Sequence, residues 1–223
     1  REAGHIARSF YGGDYKRWNK EGGSPVTEAD LAVNKYLCDT LTAARPGYGW
    51  LSEETTDDPS RLERATVFII DPIDGTVNFA HDIPHACVSI ALQRRTGPGD
   101  EDYATQVGVI LDPFVDELWT AVAGQPARLN GRVIRVSERN KLAECIVTIG
   151  FAKSAETIER TLPTFGQVLR RVRKVRLMGA AALALTYVAS GRFDAYLESG
   201  IRLWDIAAGG LILECAGGEF RPE

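Results

Sequence analysis

Residues 66–76 read TVFIIDPIDGT, and this stretch limits the possible folds more than any other part of the chain. Thr66 to Asp71 is a short β-branched run, the mark of a strand buried inside a sheet. Pro72 has no N–H to give a neighbouring strand, so the ladder is expected to stop at Asp71. Asp71 and Asp74 then face each other across a turn, where two carboxylates repel unless a cation or a proton lies between them. Gly75 lets the backbone approach a ligand closely, and Thr76 can open a helix whose free N–H groups suit a phosphate. Acid ligands beside a phosphate cradle point to Mg²⁺-assisted phosphoryl chemistry. An isolated D-x-x-D-G-T reads equally well as a β-turn whose aspartates bond only to backbone.

Around this strand, the pattern of elements is α+β. A helix is expected from the apolar spacing of Leu31, Val33, Tyr36, Leu37 and Leu41, ending near Pro46-Gly47. Further strands are expected at His85–Leu92, Thr105–Leu111, Glu117–Val122, Val133–Val136 and Cys145–Ile149, with turns at Gly97–Asp100 and Asn130-Gly131. Helices follow over Glu156–Val172, Ala180–Ala189 (closed by Gly191) and Asp205–Cys215, with a strand at Phe193–Leu197 between the last two. Strands cluster in the middle, so layered helices and sheets fit better than a regular βαβ alternation. The chain is divided provisionally into residues 1–140, with most of the candidate metal ligands, and residues 141–223, which complete one continuous catalytic unit.

Composition narrows the class. Apolar residues are 44% and charged residues 25% of the 223, which excludes disorder, and no apolar run approaches the roughly 20 residues of a membrane span. Arg1 to Phe10 lacks the apolar centre and small-residue cleavage site of a secretory signal. A net charge of −4 argues against a general nucleic-acid binder. Cys38, Cys87, Cys145 and Cys215 form no C-x-x-C pair and read as free buried thiols in a reducing, cytoplasmic compartment. The histidines show no ligand spacing, so any metal should be a hard one held by oxygen.

Three other segments carry acids in suggestive places. Trp50-Leu51-Ser52-Glu53-Glu54 reads alone as a solvated acidic loop. Asp205, in LWDIAAGG, reads alone as a helix cap. Thr27 and Asp30, in SPVTEAD, form a T-x-x-D capping signal.

Together, SPVTEAD (24–30), WLSEE (50–54), IIDPIDGTVNFAH (69–81), LNG (129–131), GAAALALTYVASGRFDAYLESGI (179–201) and WDIAAGGLILECAGG (204–218) resemble the inositol monophosphatase superfamily of Mg²⁺-dependent, lithium-sensitive phosphatases. The resemblance covers nearly the whole chain. It implies that Glu53, Asp71, the Ile73 carbonyl, Asp74 and Asp205 hold two or three Mg²⁺ ions. It also implies that Thr76 and Asp30, with Glu53, orient and activate the attacking water. The implied substrate contacts are Asp74, Gly75, Thr76, Ala181 and Glu198, the last touching a substrate hydroxyl. A homodimer is implied as well. Ala180 stands where the family often has Ser or Thr. The family also continues past AGG, whereas this sequence ends at Glu223, and its first helix begins before the position of Arg1.

Among small phosphorylated substrates, Asn78-Phe79-Ala80-His81 resembles the inositol-phosphate branch. Lys20 followed by SPVTEAD also resembles the 3'(2'),5'-bisphosphate nucleotidases, and histidinol-phosphate and fructose-bisphosphate phosphatases share the same metal core. Inositol monophosphate is the first expectation. A non-enzymatic alternative, an RNA- or protein-binding regulator, would use the five cations of Arg170–Arg176, which otherwise read as a solvated helix end leading into an exposed strand. His81 and His85 are expected to pack in a loop, and Trp204 to anchor Asp205.

Overall fold

The computed structural model describes residues 1–20, 23–99, 102–151 and 155–222; Asp100 of the expected Gly97–Asp100 turn and the terminal Glu223 lie outside them. In chain order the first elements are α1 (Glu2–Phe10), β1 (Arg17–Asn19), β2 (Pro25–Thr27), α2 (Glu28–Ala44), β3 (Gly49–Ser52), β4 (Thr66–Asp74) and α3 (Thr76–Ala80). There follow β5 (Cys87–Arg95), β6 (Tyr103–Asp112), β7 (Glu117–Val122), β8 (Arg128–Leu129) and β9 (Arg132–Val133). The last are β10 (Ile146–Ile149), α4 (Ala155–Arg171), β11 (Lys174–Arg176), α5 (Ala181–Ala189), β12 (Ala195–Leu197) and α6 (Leu203–Cys215).

The side chains of β4 alternate between two cores, as the period of two in a strand requires. Val67 and Ile69 join the core formed with α5 and α6, while Phe68 and Ile70 join the core formed with α1, α2 and α3. A strand buried on both faces needs apolar residues on both, which explains its unbroken hydrophobic run. The large sheet has the order β3-β4-β5-β6-β7-β8-β9, with β3 and β4 parallel and the remaining pairs antiparallel. The fold class is therefore the layered α+β arrangement that the sequence implies.

Three local expectations need correction. Pairing does not end at Asp71: β4 runs on to Asp74, with Asp71 opposite Ser89 and Asp74 opposite Cys87. One extra residue sits on β4 between those pairs, a bulge that absorbs the N–H missing from Pro72. The expected strand Val133–Val136 shrinks to β9, in a short hairpin across Asn130-Gly131: Ile134 N–H still donates to Ala127 in that register, but Val136 N–H turns away to Ala216, at the end of α6. Third, β10, β11 and β12 form a separate parallel sheet with α4 and α5 as crossovers, so strand and helix do alternate in this stretch. The buried residues of α1 are Ala3, Gly4 and Ala7, too small to mark an apolar stripe in the sequence.

The four cysteines are unpaired, but only Cys87 and Cys145 are buried. The cations from Arg170 to Arg176 are all exposed, while Val172 and Val175 pack against Cys145, Val147 and Ile149. No helix among the described residues is long and apolar enough to cross a membrane.

Close contact between α6 and β6 sets the height of Asp205. A Cβ built on Gly108 would lie 2.6 Å from the Ala208 carbonyl oxygen and 3.2 Å from its Cα. Both are backbone atoms, so α6 would have to move as a body. Gly108→Ala is expected to cost about 1–3 kcal/mol of stability, measured by chemical denaturation, and to weaken metal-dependent stabilisation through displacement of Asp205. An unchanged denaturation midpoint would show that α6 is not seated this way.

Candidate active site

Parallel pairing of β3 with β4 places Ser52 opposite Ile70, and Glu53 N–H donates to the Ile70 carbonyl at 3.2 Å. Glu53 is thereby brought beside Asp71. Asp205 arrives from the first turn of α6, where its Oδ2 accepts the Arg202 N–H at 2.7 Å. One carboxylate oxygen from each of Glu53, Asp71 and Asp205 lies within 4.8 Å of the other two. These residues are far apart in sequence, and the fold brings them to one point.

The crowding is visible in their protonation. Burial drives Asp71 well above the usual carboxylate range, with the charges of Glu53 and Asp74 adding to it. Burial and then the charge of Asp205 push Asp74 up to about 8. Burial likewise pushes Asp205 up to about 7, with Glu53 and Glu198 contributing. A site made of hard oxygen donors that is reluctant to ionise matches a divalent cation such as Mg²⁺. Lys20 supplies part of that positive charge here, its Nζ lying 3.0 Å from Glu53 Oε1 and 2.6 Å from Glu54 Oε1.

Asp74 stands slightly apart. Its Oδ1 accepts the Ala181 N–H at 3.2 Å and its Oδ2 the Ala182 N–H at 2.7 Å, both from the first turn of α5. This explains Ala180: the helix start has no side-chain cap of its own, and an aspartate from β4 caps it instead. Ala181, expected at the substrate, gives its peptide N–H to Asp74.

Asp30 divides its two oxygens between two tasks. Oδ2 accepts the Thr27 N–H at 2.9 Å and the Thr27 hydroxyl, completing the capping box of α2. Oδ1 lies 3.0 Å from Thr76 Oγ1. Thr76 Oγ1 is also 2.9 Å from the Ile73 carbonyl, and with a single hydrogen it donates to one acceptor at a time. The capping and active-site readings of Asp30 therefore both hold geometrically. Gly75, at φ +92°, turns the chain from β4 into α3, and a Cβ there would meet the His85 carbonyl at 3.0 Å. Glu198 follows β12 and accepts a hydrogen bond from the Tyr196 hydroxyl. His85 rests edge-on against Tyr187, in keeping with a packing role.

The model of the inositol monophosphatase family matches residues 1–222. The chain belongs to this family. Inositol monophosphatases are phosphoric monoester hydrolases, and a relative named inositol-1-monophosphatase from Caulobacter vibrioides is 37% identical over 96% of this chain and 82% of its own length. A second relative, from Pasteurella multocida and named Nus factor SuhB, is 34% identical over 98% of this chain and 80% of its own. Among solved structures, the extragenic suppressor protein suhB of Bartonella henselae superposes with a TM-score of 0.88 at 35% identity, covering 97% of this chain and 81% of that one.

Sequence reasoning did not find Lys20 as the cation on the acidic cluster, nor Tyr196 as the partner of Glu198. Neither carries a local signal: Lys20 meets Glu53 and Glu54 only through the fold.

A carboxyl whose pKa is higher folded than unfolded keeps its proton longer in the folded chain. Folding is then favoured at low pH and loses that advantage as pH rises. For Asp74 at about 8, and Asp205 and Glu54 at about 7, the loss runs from their ordinary values of 3.8 to 4.5 up to those pH values. In chelator, the melting temperature is expected to fall between about pH 4 and about pH 8 and to level off above, and Mg²⁺ should flatten the slope. Equal slopes with and without Mg²⁺ would dissociate the acids from the cation.

Proposed function

We propose that this chain is a Mg²⁺-dependent phosphomonoesterase acting on a small phosphorylated polyol, inositol monophosphate first among the candidates. The observation that carries the proposal is the junction of two arrangements on one turn. The Glu53–Asp71–Asp205 cluster lies on one side, and the Thr76–Asp30 pair opens α3 on the other. Glu53, Asp71 and Asp205 would hold the cation, with Asp74 and the Ile73 carbonyl beside them. When bound, the cation supplies Lewis-acid chemistry: it makes water more acidic and neutralises charge on the phosphate oxygens.

The chain's own groups do the rest. When the Thr76 hydroxyl donates to Asp30, its oxygen is left to accept a hydrogen from the attacking water and fix its direction. Asp30 is buried and its pKa is raised by that burial, so it is disposed to take a proton relayed through Thr76. The first N–H groups of α3, at Gly75 and Thr76, have no intrahelical acceptors and suit the phosphate. Residues 1–140 and 141–223 act as one catalytic unit in this reading, since Asp205 and Glu198 come from the second part. The family resemblance further supports a cytoplasmic homodimer.

A regulatory role through the exposed 170–176 cations is a second reading, favoured by their exposure and by the Nus factor name of the Pasteurella relative. RNA binding that weakens steeply with salt would support it.

The test is phosphate release with Mg²⁺ present from inositol-1-phosphate, adenosine 3',5'-bisphosphate, histidinol phosphate and fructose-1,6-bisphosphate. Fastest turnover per KM is expected on inositol-1-phosphate, with none in chelator. Full activity in excess chelator would overturn the mechanism. Thr76→Ala is expected to lower kcat on the order of 100-fold while leaving the Mg²⁺-induced rise in melting temperature in place. Unchanged kcat would return Thr76 to a purely structural role.

A further inference from the structure

Glu198 is a half-buried carboxylate that takes part in no ion pair among the described residues. Its charge reaches both Asp74 and Asp205, which places it at the edge of the acidic cluster. Partial burial of a carboxylate without a cation carries a desolvation cost that an incoming hydrogen-bond donor would offset. Two features hold this one in place. Tyr196 and Glu198 are two residues apart around the end of β12, and the Tyr196 hydroxyl donates to Glu198 Oε2. On the neighbouring strand, Ile149 pairs with Leu197 and Gly150 N–H donates to the Leu197 carbonyl at 3.0 Å, so Gly150 lies directly against the Glu198 side chain. The three atoms nearest a Cβ at position 150 are all of the Glu198 carboxyl group, which it would overlap.

We infer that Tyr196 and Gly150 are positioning residues that fix the Glu198 carboxylate toward the substrate and so set the preference for phosphate esters bearing a free hydroxyl near the ester oxygen. The inference rests on the proposed reading of Glu198 as the acceptor for a substrate hydroxyl. Tyr196 occupies Oε2 and removes the rotational freedom of the carboxylate, which leaves Oε1 for the incoming hydroxyl. Gly150 gives the space in which that rotamer exists. Because the atoms that Gly150→Ala would strike are the far end of a flexible side chain, the variant should fold and simply turn the carboxylate aside.

The experiment compares inositol-1-phosphate with phenyl phosphate, which has no aliphatic hydroxyl, in wild type, Glu198→Gln, Tyr196→Phe and Gly150→Ala, with Mg²⁺ saturating. Glu198→Gln should raise KM for inositol-1-phosphate about tenfold, the loss of one charge-assisted hydrogen bond, and leave KM for phenyl phosphate unchanged. Tyr196→Phe and Gly150→Ala should each raise KM for inositol-1-phosphate about fivefold, with kcat and the phenyl phosphate constants unchanged. If Glu198→Gln is selective while both other variants match wild type, the positioning role is overturned and the reading of Glu198 stands. If Glu198→Gln affects both substrates alike, the reading of Glu198 fails and the positioning role with it. Parallel losses on both substrates together with a lowered melting temperature in Tyr196→Phe and Gly150→Ala would make those two residues merely structural.

Discussion

Mutual repulsion among Glu53, Asp71, Asp74 and Asp205 is the constraint around which the rest of this structure is arranged. Four carboxylates brought to the end of one strand oppose folding, and the surrounding elements compensate each in a different way. Lys20 lies on Glu53, the Ile73 N–H on Asp71, the first turn of α5 on Asp74 and the Arg202 N–H on Asp205. Glu53, Asp71 and Asp205 each keep one oxygen within 4.8 Å of the others, whereas Asp74 spends both of its oxygens on α5. What holds the acids together is apolar: β4 is packed on both faces, and α6 is pressed onto β6 across a glycine.

Much of this was legible in the sequence. The unbroken run TVFII identifies a strand covered on both sides, and Asp71, Asp74 and Thr76 follow it at fixed offsets. The resemblance adds Glu53 and Asp205, and the parallel register of β3 with β4 brings Glu53 to Asp71. The bulge after Asp71 was hidden because a proline reads locally as a stop, whereas tertiary pairing carries the strand past it. Small buried residues hid α1, since Ala3, Gly4 and Ala7 give no apolar stripe. Tyr196 and Gly150 were hidden for a different reason: their importance is a matter of space beside Glu198.

Asp30, Asp74 and Asp205 show why capping and active-site readings of the same residue need not compete. Each accepts a backbone N–H at a helix start; Asp205 also keeps an oxygen near Glu53 and Asp71, Asp30 also meets Thr76, and Asp74 spends both oxygens on α5. A helix terminus is a fixed, positively polarised object, so an aspartate that satisfies it gains a defined orientation without a further partner. Residues at functional sites often break local rules; here the local rule is obeyed and put to use.

The centre spans residues 20 to 205 of a 223-residue chain, and its parts lie just after β1, just after β3, on β4 and on α6. Bringing these parts together costs loop-closure entropy that local contacts do not repay, and the two cores packed on either face of β4 offset it. In the proposed reading, a cation held by Glu53, Asp71 and Asp205 would tie β4 to α6 and would slow the reopening of α6 from the sheet.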